Sequence, residues 1–225
     1  YNSFKFFTTY AGVDGWNFAE HGCEGDNITD NWVHSKLQTL MKTIEVEMAQ
    51  YKLYNVIPAL FDFIEDLTNW YIRLNRSRFW DDGLTDDKNQ CYSTLFLALK
   101  ELTIAMAPFA PFLSEYIFAE LKKFDSNEKA ESVHLCSYPT AKEEKIQPVL
   151  EDAVDRMQQL ILLGRQKRNQ VQIKVKTPLA RLTVIHKNQS LLDEISKLEV
   201  YIKSELNVKT VEFSTDEDSY INLYA

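Results

Sequence analysis

The chain has 225 residues, of which 45% are apolar and 26% are charged, and its formal net charge at pH 7 is −8. This length suffices for one large or two modest domains, and no apolar run reaches the roughly 20 residues that a membrane-spanning helix needs. The acidic balance argues against a protein that coats nucleic acid unspecifically, because such proteins present a broad positive surface. Three widely spaced cysteines give no disulfide framework, which favours a reducing compartment such as the cytoplasm.

The first 25 residues are rich in aromatic side chains and contain four glycines. Glycines at this density interrupt regular structure, so we expect a short helix over about residues 1–10 and then a loop. The chain begins without a methionine and in the middle of an aromatic pattern. We interpret it as a fragment of a longer protein.

Four amphipathic helices are predicted to follow. Apolar residues recur at steps of three and four residues, for example from Val33 to Met48 in the first helix. Pro108 and Pro111 separate the third helix from the fourth. Helices joined by short turns pack most simply as an antiparallel bundle. The predicted spans are residues 30–51, 55–80 and 88–106, with a fourth helix that ends near residue 123.

The second predicted helix contains a stretch, residues 66–80, with chemically different sides. Guanidinium groups bind phosphates and base edges, and planar rings stack on unpaired bases. The polar side therefore has the chemistry of a surface that binds structured RNA. At about 100° per residue, the apolar side consists of Leu60, Ile64, Leu67, Tyr71 and Leu74. The opposite side carries Asn69, Arg73, Arg76 and Trp80, at spacings of four, three and four residues.

A solvated helix face is the alternative interpretation of these arginines. Asp62, Glu65 and Asp66 lie one turn earlier and can pair with them. Arg78 turns towards the apolar side of the helix and is a weaker candidate for RNA contact. Spacing alone leaves both interpretations open.

A linker and a basic helix come next. Residues 125–147 are polar, and we expect one piece of them, residues 133–136, to be extended. A fifth helix is predicted over residues 148–171. From residue 156 to residue 187 the chain has eight basic residues and no acidic one. Cations in the last turn of a helix interact favourably with the negative end of its dipole. That effect does not explain why the basic run continues beyond the helix. A concentrated basic run is compatible with binding one polyanion at one place.

The pattern changes after residue 178, where strand-like runs flank one further helix. The strands are predicted at residues 182–185, 209–213 and 220–224, and the helix at residues 191–206. The predicted fold class is therefore mainly α, an antiparallel helical bundle followed by a small α/β appendage.

The central stretch resembles a known family. Asn-Trp-Tyr-Ile-Arg at residues 69–73 and Arg-Ser-Arg-Phe-Trp at residues 76–80 resemble the anticodon-domain signature of isoleucyl-tRNA synthetases of the eukaryotic-like branch. Met-Ala-Pro-Phe-Ala-Pro-Phe-Leu-Ser-Glu at residues 106–115 resembles a segment shared with valyl, leucyl and methionyl enzymes, so it marks the class and not the amino acid. The resemblance continues at lower specificity through residues 164–169 and 174–179.

The resemblance implies a division of the chain and a partner. Residues 1–25 would connect to a missing catalytic core, residues 26–147 would form the anticodon-binding bundle with its linker, and residues 148–225 a basic helix with a small α/β domain. The bundle would bind the anticodon stem-loop of isoleucine tRNA in the cytoplasm, beside the catalytic and editing domains of the same parent chain. The residues implied in tRNA contact are Asn69, Arg73, Arg76 and Trp80, with Arg165, Lys167, Arg168, Lys174 and Lys176 for phosphate.

Catalytic motifs are absent from the sequence. The family uses ATP through a His-x-Gly-His motif and a Lys-Met-Ser-Lys-Ser loop, and neither occurs here. Four scattered histidines form no acid/base constellation. Two His-x-Cys pairs, at residues 21–23 and 134–136, raise zinc as an alternative, although metal ligands usually form closer pairs. We predict no catalytic residue, metal or cofactor in this chain, and ATP and magnesium only in the full-length enzyme.

Other functions stay open at this point. The acidic bundle and the appendage could serve as a protein-interaction or supporting module. A valyl- or leucyl-tRNA synthetase would have an equivalent bundle. Binding of isoleucine tRNA, rather than of protein partners or of another tRNA, distinguishes the leading hypothesis from these two.

Overall fold

The computed structural model describes residues 1–218, which are predominantly helical, as predicted. The chain divides into two compact units, the first over residues 1–146 and the second beginning at Gln147. The helices of the first unit are α1 (Asn2–Asp14), α2 (Phe18–His21), α3 (Ile28–Ala49), α4 (Leu53–Glu65), α5 (Ile72–Leu74), α6 (Arg76–Phe79), α7 (Asp86–Met106) and α8 (Pro111–Leu121). A π-helical segment, Asp66–Tyr71, joins α4 to α5, and 3-10 turns lie at Lys122–Phe124, Val133–Leu135 and Glu143–Lys145.

Helices α3, α4 and α7 form the centre of the first unit. α3 packs against both α4 and α7, and α7 packs against α8. Since only a short turn separates α3 from α4, these neighbours run antiparallel, as the sequence predicts. The largest fully buried side chains include Trp32, Leu37, Met41, Tyr71, Tyr92 and Phe96.

The first helix is longer than predicted, and it belongs to the core. α1 continues to Asp14 and ends at Gly15, whose φ of 66° lies in the left-handed region that glycine adopts readily. Phe7 on α1 is fully buried, with its ring centroid 5.7 Å from that of Trp16 and 6.2 Å from that of Tyr92. These aromatic contacts fix α1 against the bundle.

The linker piece at residues 133–136 was predicted to be extended, and this prediction is wrong. Val133–Leu135 forms a 3-10 turn that the Ser132 hydroxyl caps. The Glu115 carboxylate accepts hydrogen bonds from Ser132 Oγ at 2.8 Å and from the Val133 backbone N–H at 2.9 Å. The turn is thus set by a carboxylate on α8, which local residue preferences do not reveal.

The second unit is a long helix packed on a small α/β arrangement. α10 and α11 both pack against α9 and against β2. The two strands pair in parallel, with Leu179 opposite Val208 and Ile185 opposite Ser214. Parallel strands need a crossover connection, which α10 and α11 supply. The elements are α9 (Pro148–Gln170), β1 (Leu179–Ile185), α10 (Gln189–Ser196), α11 (Glu199–Leu206) and β2 (Val208–Ser214).

The helix predicted over residues 191–206 is divided in two. α10 and α11 are separated near Leu198, whose side chain is fully buried and whose N–H donates to the carbonyl oxygen of Ile195 at 2.9 Å. Apolar residues continue across this break at helical spacing, so periodicity alone predicted a single helix. The strand predicted at residues 220–224 lies outside the described residues.

Candidate nucleic-acid interface

The central stretch lies on a nearly continuous helical path, Leu53 to Phe79, whose helix type changes along its length. α4 continues into the π segment, then into α5, Asn75 and α6. Because π turns are wider than α turns, the segment shifts the phase of the residues that follow. Trp70 and Ile72 are buried as a result, whereas Leu74, predicted on the apolar side, is only partly buried. Ile64, also predicted on that side, precedes the segment and is likewise only partly buried.

The four polar-side residues predicted on this path all project to solvent, and we call them the motif surface: Asn69, Arg73, Arg76 and Trp80. Trp80 is 56% exposed, although tryptophan is highly buried on average. The guanidinium carbon of Arg76 lies 5.9 Å from the centroid of the Trp80 ring. This cation–π contact keeps a planar cation and a planar ring together at the surface.

Arg78 points away from the motif surface into a buried polar network. Its Nη1 and Nη2 donate to the two carboxylate oxygens of Asp30, each at 2.8 Å, and its Nε donates to Asp87 at 2.8 Å. Only 9% of the Arg78 side chain and 1% of the Asp30 side chain are exposed. Bidentate pairs of this kind combine strength with a fixed geometry. Arg78 therefore holds α6 against the first turn of α3.

The same carboxylate also fixes the π segment and the break after α5. Tyr71 Oη donates to Asp30 Oδ1 at 2.7 Å, and the Asn75 side-chain N–H donates to the Tyr71 carbonyl oxygen at 2.9 Å. Asn75 Oδ1 accepts hydrogen bonds from Arg78 Nη1 and Thr29 Oγ1, each at 3.0 Å. We call Asp30, Tyr71, Asn75 and Arg78 the Asp30 network. It determines where the motif surface lies relative to the bundle.

The ionisation states in this network are set by burial and by the carboxylates. Burial raises the pKa of the Tyr71 phenol well above its usual value, so the phenol keeps its proton. Burial alone would lower the pKa of Arg78, but hydrogen bonds to Asp30 and Asp87, together with charge interactions with Cys91 and Asp30, raise it overall. Both groups therefore stay hydrogen-bond donors to Asp30.

Sequence reasoning missed most of this network. It placed Arg78 towards the apolar side but named no partner, because Asp30 lies 48 residues earlier on another helix. It offered Asp66 as a partner for the motif arginines, and the structure pairs Asp66 with Lys36 of α3 at 3.2 Å. Asparagine side chains favour local hydrogen bonds to the backbone that compete with a helix, so Asn75 was the available signal in the sequence that the path is interrupted.

The basic residues predicted in the second unit have different surroundings. Lys167 at the end of α9, and Lys174 and Lys176 in the following loop, are exposed, and we call these three the lysine group. Arg165 forms an ion pair with Glu205 of α11, in which the two side chains are 21% and 10% exposed. Pairing lowers the capacity of Arg165 to bind a phosphate.

Arg168 does not lie on the surface where the sequence placed it. It is 4% exposed, and its guanidinium donates to backbone carbonyl oxygens. A side chain so enclosed cannot reach a phosphate without leaving those acceptors, so we do not include it in the lysine group. Helical spacing could not reveal this, because the acceptors lie in the loop after α9 and at the end of α11.

Among residues 1–218, no three His, Cys, Asp or Glu side chains are grouped so that they could hold a metal ion. Cys23, Cys91 and Cys136 are free thiols. No helix of the same residues is both long and apolar enough to cross a membrane.

Comparisons with known proteins show which family the chain resembles. The family model described as the anticodon-binding domain of tRNA ligase matches residues 30–185. The chain is 42% identical over its whole length to the isoleucine–tRNA ligase of Bdellovibrio bacteriovorus and covers 21% of that protein. The cytoplasmic isoleucine–tRNA ligases of Saccharomyces cerevisiae and Mus musculus are each 42% identical over 88% of this chain, which covers 19% and 16% of them. The chain thus spans about a fifth of the length of the curated relatives it matches.

Proposed function

This chain belongs to the family of anticodon-binding domains of tRNA ligases, and from that membership we propose that it binds the anticodon stem-loop of isoleucine tRNA. The match covers α3 to β1 and includes the whole motif surface. The amino acid is proposed from the relatives reported above, which are named isoleucine–tRNA ligases in bacteria and eukaryotes alike.

The observation that carries the proposal is the exposed pair of Arg76 and Trp80. Proteins read the splayed bases of RNA loops by stacking on aromatic rings and guanidinium planes and by hydrogen bonds to base edges. The cation–π contact at 5.9 Å presents both planar groups at the surface, and Asn69 and Arg73 add hydrogen-bonding groups on the same helical path. A helix face with no partner would not be expected to expose a tryptophan, since this residue is highly buried on average.

Phosphate contact is assigned to the lysine group, with a smaller part for the paired Arg165. Lysine ammonium groups bind phosphates as point charges and release counterions from the RNA. The whole chain is acidic, with a net charge of −8, so we expect binding to be confined to particular places. RNA would accordingly be bound at a few defined places, as expected for recognition of one structured RNA.

The parent protein is proposed to be a cytoplasmic isoleucine–tRNA ligase. In it, residues 1–25 would link this part to a catalytic domain, and an editing domain of the same chain would act on the product. ATP and magnesium would be used by the catalytic part, and none of the residues described above is assigned to hold them. This chain would contribute recognition and not chemistry.

The test is binding of the 225-residue chain to isoleucine tRNA and to the same tRNA with its anticodon bases replaced. The double variant Arg73→Ala/Arg76→Ala is expected to weaken binding of isoleucine tRNA by about tenfold or more, since it removes two charged hydrogen-bond donors. The matched control is Lys42→Ala/Lys123→Ala, which removes two cations from exposed ion pairs elsewhere in the same unit.

The replaced anticodon is expected to weaken binding of the unaltered chain, and the control variant should bind like the unaltered chain. Equal binding of both tRNAs would contradict base-specific recognition. An equal loss of tRNA affinity in the two double variants would show that the motif surface contributes only unspecific positive charge.

A further inference from the structure

The loop between α9 and β1, residues 171–178, carries two members of the lysine group, and one buried side chain, Arg168, links it to other parts of the second unit. Arg168 Nη1 donates to the carbonyl oxygens of Lys174 at 3.1 Å and Thr177 at 3.0 Å. Nη2 donates to those of Leu206 at 2.6 Å and Asn207 at 3.2 Å. A single guanidinium thus joins the end of α9, this loop and the turn from α11 to β2.

The charge of Arg168 is balanced by carbonyl dipoles. All the hydrogen bonds described for its guanidinium end on backbone carbonyl oxygens, and two of these oxygens belong to the C-terminal end of α11. The C-terminal end of a helix carries partial negative charge and stabilises a cation there. Burial at 4% exposure is therefore tolerated although no carboxylate among residues 1–218 pairs with Arg168.

Further bonds make the loop a defined structure. The Asn207 side-chain N–H donates to the carbonyl oxygen of Val175 at 3.0 Å, and the Thr177 N–H donates to that of Lys174 at 2.9 Å. With these carbonyls turned inward to Arg168 and Asn207, the Lys174 and Lys176 side chains remain exposed. The loop backbone is held from inside while its two cations face solvent.

We propose that Arg168 is a positioning residue: its guanidinium holds the 171–178 loop so that Lys174 and Lys176 are presented together to RNA phosphates. The inference rests on the proposed function for the role of the two lysines, but the attachment of the loop can be measured without RNA. A direct phosphate contact by Arg168 is the competing explanation for an arginine in this basic strip.

Substitution by lysine separates the two explanations. Lysine keeps the charge but has one compact ammonium group, which cannot span the four acceptors that the planar fork reaches. If Arg168 contacted phosphate directly, Arg168→Lys would retain most of the binding. If it positions the loop, Arg168→Lys loosens the loop although the charge is unchanged.

The first measurement is cleavage by trypsin, read by mass spectrometry at individual sites of the 225-residue chain. Cleavage after Lys174 and Lys176 is expected to accelerate about tenfold or more in Arg168→Lys, because local opening of the loop becomes easier. Arg156→Lys is the matched control, as Arg156 is an exposed residue of the same helix paired with Asp152. Cleavage after Lys209 in β2 reports opening of the whole unit.

The second measurement is the salt dependence of tRNA binding. Each phosphate contact contributes about 0.7–0.9 to the slope of log affinity against log salt, so loss of two contacts should reduce it by roughly 1.5. Arg168→Lys and the double variant Lys174→Ala/Lys176→Ala should show similar reductions, and Arg156→Lys none.

Three results would overturn the proposal. Cleavage after Lys174 and Lys176 at the unaltered rate would show that Arg168 does not hold the loop. Equal acceleration after Lys209 would show that it supports the whole unit and not the loop in particular. An unaltered salt slope in Arg168→Lys, beside a reduced slope in the double variant, would show that loop attachment does not present the lysines.

An unaltered salt slope in Lys174→Ala/Lys176→Ala would be a different failure. It would show that these two lysines do not contact phosphates, so that holding the loop would not serve RNA binding. The cleavage rates would still report whether Arg168 holds the loop, so the two failures are distinguishable.

Discussion

Arg76 and Arg78 are two residues apart, yet their guanidinium groups have opposite environments. Arg76 lies over an exposed indole, whereas Arg78 is enclosed and pairs with the buried Asp30 and the more exposed Asp87. Arg78 is a bidentate donor within the fold, whereas Arg76, under the proposed function, is a planar cation for RNA. Substitutions at the two positions should therefore affect different measured quantities.

At Trp80, substitution should affect binding and leave folding almost unchanged. Stacking of a base on an aromatic ring contributes about 1–3 kcal/mol, so Trp80→Ala should weaken binding of isoleucine tRNA by about 5- to 150-fold. Trp80→Tyr keeps a ring and should lose less. Filter or fluorescence titration measures both, and an alanine variant that binds like the unaltered chain would exclude stacking at this ring.

At Arg78, substitution should affect stability. Removing one partner of a buried ion pair costs about 3–5 kcal/mol because the other charge stays buried, so Arg78→Ala should lower the free energy of unfolding by that order. The control Arg156→Ala breaks an exposed pair on α9 and should change it by about 0.5 kcal/mol or less. Urea unfolding measures both. A loss below about 1 kcal/mol for Arg78→Ala would mean that Asp30 finds other partners.

Among the helices, α3 contains a titratable group that should make stability depend on pH. Burial lowers the pKa of His34 below its usual 6.5. The unfolded chain then binds the proton more readily, so the contribution of this group is fully present above pH 6.5 and is lost as pH falls towards the folded-state value. Unfolding measured from about pH 7.5 to about pH 5.5 should show decreasing stability.

His34→Gln is the comparison for that measurement. Glutamine does not titrate, so the decrease between the two pH values should be smaller in the variant than in the unaltered chain. Identical pH profiles would show that His34 can be protonated in the folded chain at no cost.

The helical elements could be predicted because their apolar periodicity is local. The same periodicity gave the solvent side of the motif helix, since Asn69, Arg73, Arg76 and Trp80 are all exposed. It could not give the π segment or the break at Asn75, which depend on hydrogen bonds to Asp30 and Thr29 of another helix. Arg168 was misplaced for the same reason, because its acceptors lie in two other segments, the loop after α9 and the end of α11.

For the molecule as a whole, the proposed function gives each compact unit one kind of contact. The first would present planar groups and an amide to bases, and the second would present the lysine group to phosphates. The overall negative charge limits unspecific attraction, so under this proposal specificity depends on these two surfaces. The central claim is that the motif surface of the first unit meets the anticodon loop.

Crosslinking tests this claim most directly. Isoleucine tRNA with a photoreactive uridine in its anticodon loop is irradiated with the 225-residue chain, and the crosslinked peptide is identified by mass spectrometry. The account predicts crosslinks within residues 66–80, centred on Trp80, that an unlabelled anticodon stem-loop competes away. Crosslinks confined to residues outside this stretch, or unaffected by the competitor, would contradict it.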